Sequence, residues 1–105
     1  PPDMSIPVLL AVDDDPGVRS ALERDLRAHY DPDDDTDDRH RYEVMTVDSG
    51  PAALDLIARL QQRRRRVALV LSDQRMIGMN GVELLTQVRE VEPGARRVLL
   101  TAYAD

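Results

Sequence analysis

The sequence predicts an α/β fold built on a parallel sheet, and two observations support this prediction. First, four short runs rich in aliphatic residues have the length of strands, namely Val8–Val12, Tyr42–Val47, Val67–Ser72 and Arg97–Thr101. Second, apolar residues recur at helical spacing in each segment between these runs. The resulting order β-α-β-α-β-α-β favours a parallel sheet with right-handed crossover connections.

The first unit begins with Val8–Val12, a continuous apolar run typical of a strand that is buried on both faces. The acidic triplet Asp13–Asp15 ends this run. Asp15 precedes Pro16, which fits a helix N-cap followed by proline at the first helical position. Apolar residues then recur at helical spacing from Val18 to about His29, so we predict an amphipathic first helix.

An acidic stretch separates the first helix from the second strand. Six of the eight residues from Asp31 to Asp38 are Asp, so we expect residues 31–41 to form a flexible, solvated loop. A calcium site of the EF-hand type is the sharper alternative. Such a loop needs Gly at its sixth position and Glu at its twelfth, where this chain has Thr36 and Tyr42. The calcium alternative is therefore disfavoured.

The second unit combines an edge-strand candidate, Tyr42–Val47, with a helix that starts in the segment Asp48–Pro51. This helix runs out in four consecutive arginines, Arg63–Arg66. Cations at the C-terminus of a helix interact favourably with the helix dipole and remain in water. We therefore favour a solvated helix end over a nucleic-acid-binding patch for this arginine run.

The third unit starts with the buried strand candidate Val67–Ser72, and a loop with two glycines follows from Asp73. Apolar residues at helical spacing predict a third helix over residues 82–91. The pair Pro93–Gly94 terminates this helix, as such residues commonly do. Arg97–Thr101 then forms the fourth strand candidate.

Length and composition limit what this chain can be. Its 105 residues suit one domain, and a hydrophobic content of 42% without Phe or Trp predicts an aliphatic core. The absence of Cys excludes disulfides and thiolate ligands. No apolar run could span a bilayer and no signal peptide is visible, so we expect a cytoplasmic protein without a membrane partner. The net charge of −6 argues against direct binding to nucleic acid.

Acidic residues follow two of the predicted central strands: Asp13 and Asp14 follow the first, and Asp73 follows the third. The carboxyl ends of parallel strands share one sheet edge, which is where ligands bind in open α/β sheets. Two carboxylates 4 Å apart repel by about 4 kcal/mol at an effective dielectric of 20, so we expect Mg²⁺ between them.

Each of these Asp residues alone could be a turn former or a helix cap. Their combination favours Asp73 as a phosphate-accepting nucleophile, because a carboxylate can attack phosphorus when a cation neutralises the charge. The hydroxyl of Thr101, at the end of the fourth strand, could then hydrogen-bond a phosphoryl oxygen. An ordinary strand-end residue is the alternative for Thr101.

Three segments of the chain together resemble the receiver domain of bacterial two-component response regulators. They are Val12-Asp13-Asp14-Asp15-Pro16, Ser72-Asp73-Gln74-Arg75-Met76-Ile77-Gly78-Met79-Asn80-Gly81 and Leu100-Thr101-Ala102. The resemblance implies a flavodoxin-like parallel sheet of order 2-1-3-4-5 with helices on both faces. It also implies a sensor histidine kinase as phosphate donor and a C-terminal output domain or effector as the recipient of the signal.

The resemblance also implies roles for individual residues. Asp73 matches the phospho-acceptor of the family. Asp13 and Asp14 match the acidic pair that binds Mg²⁺, with Asp73 and the backbone carbonyl of Arg75 as further ligands. Thr101 matches the switch hydroxyl.

The chain departs from the family pattern at three points. Ile77 stands where the family usually has Pro, so we expect a more mobile loop after Asp73. The acidic stretch Asp31–Asp38 resembles an insertion. The fifth strand, the last helices and the phosphate-binding Lys of the family have no counterpart in these 105 residues, which contain no Lys.

Without a fifth strand, residues 98–101 would form an apolar sheet edge that favours pairing with another chain. We therefore expect either that residues 1–105 are the N-terminal fragment of a longer protein or that the fourth strand pairs in a homodimer. The fragment is the favoured explanation.

Three functions compete for this sequence. The first is a receiver that accepts phosphate on Asp73 and switches a partner. The second is a phospho-independent interaction or dimerisation module. The absence of Lys and the presence of Ile77 in place of the usual Pro favour this function. The third, an enzyme such as a haloacid-dehalogenase-type phosphatase, is disfavoured, because Arg75 stands where that class has its second Asp. We expect no enzymatic turnover.

Overall fold

The computed structural model describes residues 6–30, 33 and 41–100. Within them the chain alternates strands and helices in the predicted order. The elements are β1 (Val8–Val12), α1 (Pro16–His29), β2 (Glu43–Val47), α2 (Gly50–Gln62), β3 (Val67–Asp73), α3 (Gly81–Val91) and β4 (Arg96–Leu100). No helix in this part of the chain is long and apolar enough to cross a membrane.

The four strands form one parallel sheet in the order β2-β1-β3-β4, which confirms the predicted fold class. β1 lies in the middle and all five of its residues are buried. β2 lies at one edge, as its alternating sequence predicts, and β4 lies at the other. The register places Val12 opposite both Val47 and Ser72, so β1 and β2 end at the same level and β3 continues for one more residue, Asp73.

One face of the sheet carries the main hydrophobic core. Helices α2 and α3 contact each other and cover this face. The core consists of Val8, Leu10, Val12, Ala53, Ile57, Leu60, Val67, Val70, Leu84, Val88 and Ala95. Every one of these side chains is aliphatic, as the composition predicts.

The described residues cover the opposite face of the sheet only in part. Helix α1 packs against β1 and β2, and Thr46 Oγ1 donates to Glu23 Oε1 (3.4 Å) between β2 and α1. The periodicity of α1 is helical as predicted, yet none of its residues is buried and Val18 is 41% exposed. The residues of α1 stay partly exposed because the helix has the sheet on one side only. Beside it, an open groove of about 540 Å³ extends over Leu69 and Val98.

Local sequence determines where the helices begin. Asp15 Oδ1 accepts hydrogen bonds from the backbone N–H groups of Gly17 (2.9 Å) and Val18 (3.2 Å), and Pro16 occupies the first helical turn. Ser49 Oγ accepts from the N–H of Ala52 (3.2 Å) and caps α2 in the same way. The first cap is made by Asp15, so the side chains of Asp13 and Asp14 take no part in capping α1.

Candidate functional site

Three carboxylates meet at the carboxyl edge of the sheet. Asp13 and Asp14 follow β1, and Asp73 is the last residue of β3. One side-chain oxygen from each of the three lies within 4.8 Å of the other two. The structure therefore brings together the three acidic residues that the sequence predicted to converge, and it does so through the parallel register of β1 and β3.

Asp13 is the most buried member of this acidic triad, with 3% of its surface exposed. Its backbone is held by its own N–H, which donates to Val47 O (3.2 Å), and by Arg19 Nη1, which donates to Asp13 O (2.8 Å). Its Oδ1 accepts from the N–H of Asp15 (2.9 Å). These contacts fix the carboxylate at the floor of the site.

The surroundings of Asp13 disfavour its negative charge. Burial raises the pKa of the Asp13 carboxyl above its ordinary value of 3.8, and repulsion from Asp73, Asp14 and Asp15 acts in the same direction. The hydrogen bond from the Asp15 backbone opposes this shift but does not cancel it. A cation at this position would offset the repulsion and favour the charged form of Asp13.

Asp14 and Asp73 are half-buried and border the open side of the site. Asp14 Oδ2 accepts a hydrogen bond from the backbone N–H of Ile77 (3.1 Å), which lies in the loop after β3. A cleft of about 360 Å³ opens above the triad, and Arg75, Val18 and Leu100 lie in its wall. This cleft is large enough to admit a phosphoryl group to Asp73.

The triad fits a hard divalent cation. Its donors are carboxylate oxygens, which suit Mg²⁺, and the adjoining cleft leaves room for the waters that Mg²⁺ usually retains. Burial and, after it, repulsion from Asp73, Asp14 and Asp15 raise the pKa of Asp13, and a cation at the same place would counter the repulsion. Arg75, whose backbone carbonyl the resemblance implies as a further ligand, lines this cleft.

The loop after β3 is anchored to the start of α3. The N–H of Gly81 donates to Gln74 O (3.2 Å), and the N–H of Val82 donates to Gln74 Oε1 (2.9 Å). A Cβ atom on Gly81 would collide with the carbonyl oxygen of Asp73 and with Leu99 Cδ1, so this close approach requires glycine. The position of Asp73 is therefore tied to the N-terminus of α3.

Two predicted features fall outside the described residues. Thr101, the predicted switch hydroxyl, follows the last described residue, Leu100. In the acidic stretch the structure describes only Asp33, which lies in an exposed turn. Both expectations remain predictions.

Sequence reasoning missed three contacts around the triad. They are the Arg19 contact with Asp13 O, the bond from Ser72 Oγ to Asp73 O (2.8 Å) and the bond from the Ile77 amide to Asp14. Each of these contacts depends on the path of a loop or on a side-chain rotamer, and neither can be predicted from the periodicity of the sequence. The sequence shows Gly81 eight residues after Asp73, but it does not show that a side chain at position 81 would collide with the Asp73 backbone.

Comparison with known proteins gives consistent results. Residues 9–105 match the family model described as response regulator receiver domain. The chain is 35% identical over 97 residues to the transcriptional regulatory protein GlrR of Escherichia coli (strain K12), covering 92% of this chain and 18% of GlrR. It is 27% identical over 97 residues to sporulation initiation phosphotransferase F of Bacillus subtilis (strain 168), covering 92% and 65% respectively.

Solved structures agree with the fold. The response regulator protein TrrA from Thermotoga maritima, crystallised in complex with Mg²⁺-BeF, superposes with a TM-score of 0.70 at 28% identity. The match covers 94% of this chain and 72% of TrrA. In GlrR, by contrast, the matching region is a small part of a longer protein.

Proposed function

Because this chain belongs to the response regulator receiver domain family, we propose that it accepts a phosphoryl group on Asp73 and thereby switches an output partner. The observation that carries this proposal is the convergence of Asp13, Asp14 and Asp73 within 4.8 Å at the carboxyl edge of the sheet. The proposed donor is a phosphohistidine on a sensor histidine kinase.

The chain's own residues have distinct parts in this reaction. An oxygen of the Asp73 carboxylate forms a bond to phosphorus while the bond from phosphorus to the donor nitrogen breaks, and the departing imidazole takes a proton from solvent. Asp13, Asp14, Asp73 and the carbonyl of Arg75 would hold Mg²⁺. When bound, the ion supplies charge neutralisation for the incoming phosphoryl oxygens and for the attacking carboxylate. Thr101 is the proposed hydrogen-bond partner of the phosphoryl group.

Intact-protein mass spectrometry after incubation with acetyl phosphate tests this proposal. We expect an adduct of one phosphoryl group in the presence of Mg²⁺, none in EDTA, and none in Asp73→Asn. Asp25→Asn is the matched control, because Asp25 lies in the wall of the same cleft but outside the acidic triad. An adduct that persists in Asp73→Asn would refute the assignment of the acceptor.

We further propose that the chain is one receiver domain of a longer cytoplasmic regulator. The proposal is supported by GlrR, of which the chain covers 18%. The net charge of −6 argues that any contact with nucleic acid is made by another part of that regulator.

A phospho-independent interaction or dimerisation module is the second candidate function. The observation that favours it is the edge position of β4, where Val98 is 40% exposed in a strand that pairs only with β3 among the described residues. Pairing of β4 between two chains would predict a dimer by sedimentation that forms equally in wild type and in Asp73→Asn. Failure to phosphorylate, combined with such a dimer, would favour this function over the first.

A further inference from the structure

The backbone amide of Ile77 reaches the acidic triad from a distant part of the sequence. Its N–H donates to Asp14 Oδ2 at 3.1 Å, across 63 positions of the chain. The Ile77 side chain is 93% exposed, so its apolar surface contributes little to packing. What this residue contributes to the site therefore comes from its backbone.

The hydrogen bond joins the two chain segments that carry the acidic triad. Asp14 belongs to the connection between β1 and α1, whereas Ile77 lies in the loop between β3, which ends at Asp73, and α3. On either side of Ile77 in the sequence, Met76 and Met79 pack against the hydrophobic core. The loop thus packs on the core through Met76 and Met79, while the backbone amide of Ile77 donates to the Asp14 carboxylate.

A carboxylate can accept this bond and still ligate a metal. It has two oxygens with about four lone-pair directions, so a single donor on Oδ2 leaves the other oxygen free. Hydrogen bonds to ligating carboxylates orient them and strengthen metal binding. Such a bond from residue 77 requires a backbone N–H, and proline has none.

Resting on the proposed function, we propose that the Ile77 amide is a positioning group for the Mg²⁺ site, holding the Asp14 carboxylate in the orientation that ligates the ion. A chain with proline at this position lacks the interaction. Ile77 therefore increases Mg²⁺ affinity through its main chain, independently of its side chain.

Two substitutions separate the amide from the side chain. Ile77→Pro removes both the isoleucine side chain and the N–H, whereas Ile77→Ala removes the side chain and keeps the N–H. Isothermal titration calorimetry with MgCl₂ should give Ile77→Ala the Kd of wild type, and Ile77→Pro a Kd about tenfold higher. Circular dichroism in EDTA checks that both variants are folded.

NMR of the Ile77 backbone amide gives an independent test in protein that keeps isoleucine at position 77. The Ile77 amide proton should shift on Asp14→Ala substitution, and in wild type it should titrate with the same Mg²⁺ Kd as calorimetry gives. Equal or tighter Mg²⁺ binding by Ile77→Pro, or an Ile77 amide unaffected by Asp14→Ala, would overturn the proposal.

The calorimetry also distinguishes failure of the positioning role of the Ile77 amide from failure of the Mg²⁺ site. If wild type binds no Mg²⁺, both the metal site and the positioning role are refuted. If wild type and both variants bind Mg²⁺ alike, the metal site stands and only the role of the amide is refuted.

Discussion

Replacing Asp13 by Asn should stabilise the metal-free protein and abolish its stabilisation by Mg²⁺. Asp13 is 3% exposed and its oxygen lies within 4.8 Å of an oxygen of Asp14 and of Asp73. Two unit charges 4.8 Å apart repel by about 0.9 kcal/mol in bulk water and about 3.5 kcal/mol at an effective dielectric of 20. Asparagine removes this repulsion, and its Oδ1 can still accept the hydrogen bond from the Asp15 N–H.

The site is partly open to solvent, so we expect a gain nearer the lower limit, about 1–2 kcal/mol at pH 7 in EDTA. For a domain of this size each kcal/mol corresponds to about 4–8 °C in Tm. With saturating Mg²⁺ the order should invert. Wild type gains about 2.7 kcal/mol when the ion is at a hundred times its Kd, whereas Asp13→Asn has lost a ligand and gains little.

The pH dependence of this difference is a further consequence. The pKa of Asp13 is raised in the folded state, so the folded protein holds the Asp13 proton more tightly than the unfolded chain does. Ionisation of Asp13 therefore costs no folding free energy below pH 3.8, its ordinary pKa. Its destabilising effect develops as the pH rises from there through the raised pKa of the folded state. The advantage of Asp13→Asn in EDTA should thus be absent at low pH and complete at neutral pH.

Urea unfolding of wild type, Asp13→Asn and Asp25→Asn measures these effects. Asp25 lies on the exposed surface of α1 and its variant should stay within about 0.5 kcal/mol of wild type. An Asp13→Asn variant that is less stable than wild type in EDTA at pH 7, or an advantage that does not vary with pH, would refute the repulsion argument.

Substitutions at Gly81 and Asn80, each with a control variant, probe the connection between Asp73 and α3. Gly81→Ala should lower the free energy of unfolding by about 2–3 kcal/mol, because the new methyl group meets the Asp73 backbone, which cannot yield. Gly50→Ala should lower it by less, since the neighbour there is the flexible Met79 side chain. Equal losses of the two variants in urea unfolding would contradict this. Asn80→Ala should cost about 1 kcal/mol by removing the cap of α3, whereas Asn80→Asp should keep the acceptor for the Glu83 N–H and lose little.

The sequence could predict the elements and the acidic triad because each depends on a local signal. The apolar runs and helical periods locate β1 to β4 and α1 to α3, and Asp15 before Pro16 marks the start of α1 by its capping chemistry. The triad follows from one topological rule, that parallel strands end at a common edge. None of these inferences required knowledge of a side-chain rotamer.

The missed features depend on geometry between distant segments. The register of β1 and β3 shifts between Val8 and Leu9, and a register shift has no signature in the apolar pattern. Arg65, counted among the solvated arginines, instead lies half-buried and donates to Glu43 Oε1 (2.8 Å) and to Ile6 O (3.2 Å). Composition cannot distinguish this arginine from its exposed neighbours, because the difference arises only when β2 and β3 are in place.

The geometry of the acidic triad is imposed by residues remote from it. The residues of β1 are at most 1% exposed, and burying one such Val or Leu side chain contributes about 1.5–3 kcal/mol. Burial of this one strand therefore outweighs a repulsion of about 1–3.5 kcal/mol between two carboxylates. Since Val12 pairs with Ser72, the residue that follows each of them is an aspartate, and the backbones of these two aspartates cannot separate unless the buried strands slip. The aliphatic core thus holds the carboxylates close together, and their repulsion would be relieved either by a proton on Asp13 or by a bound cation.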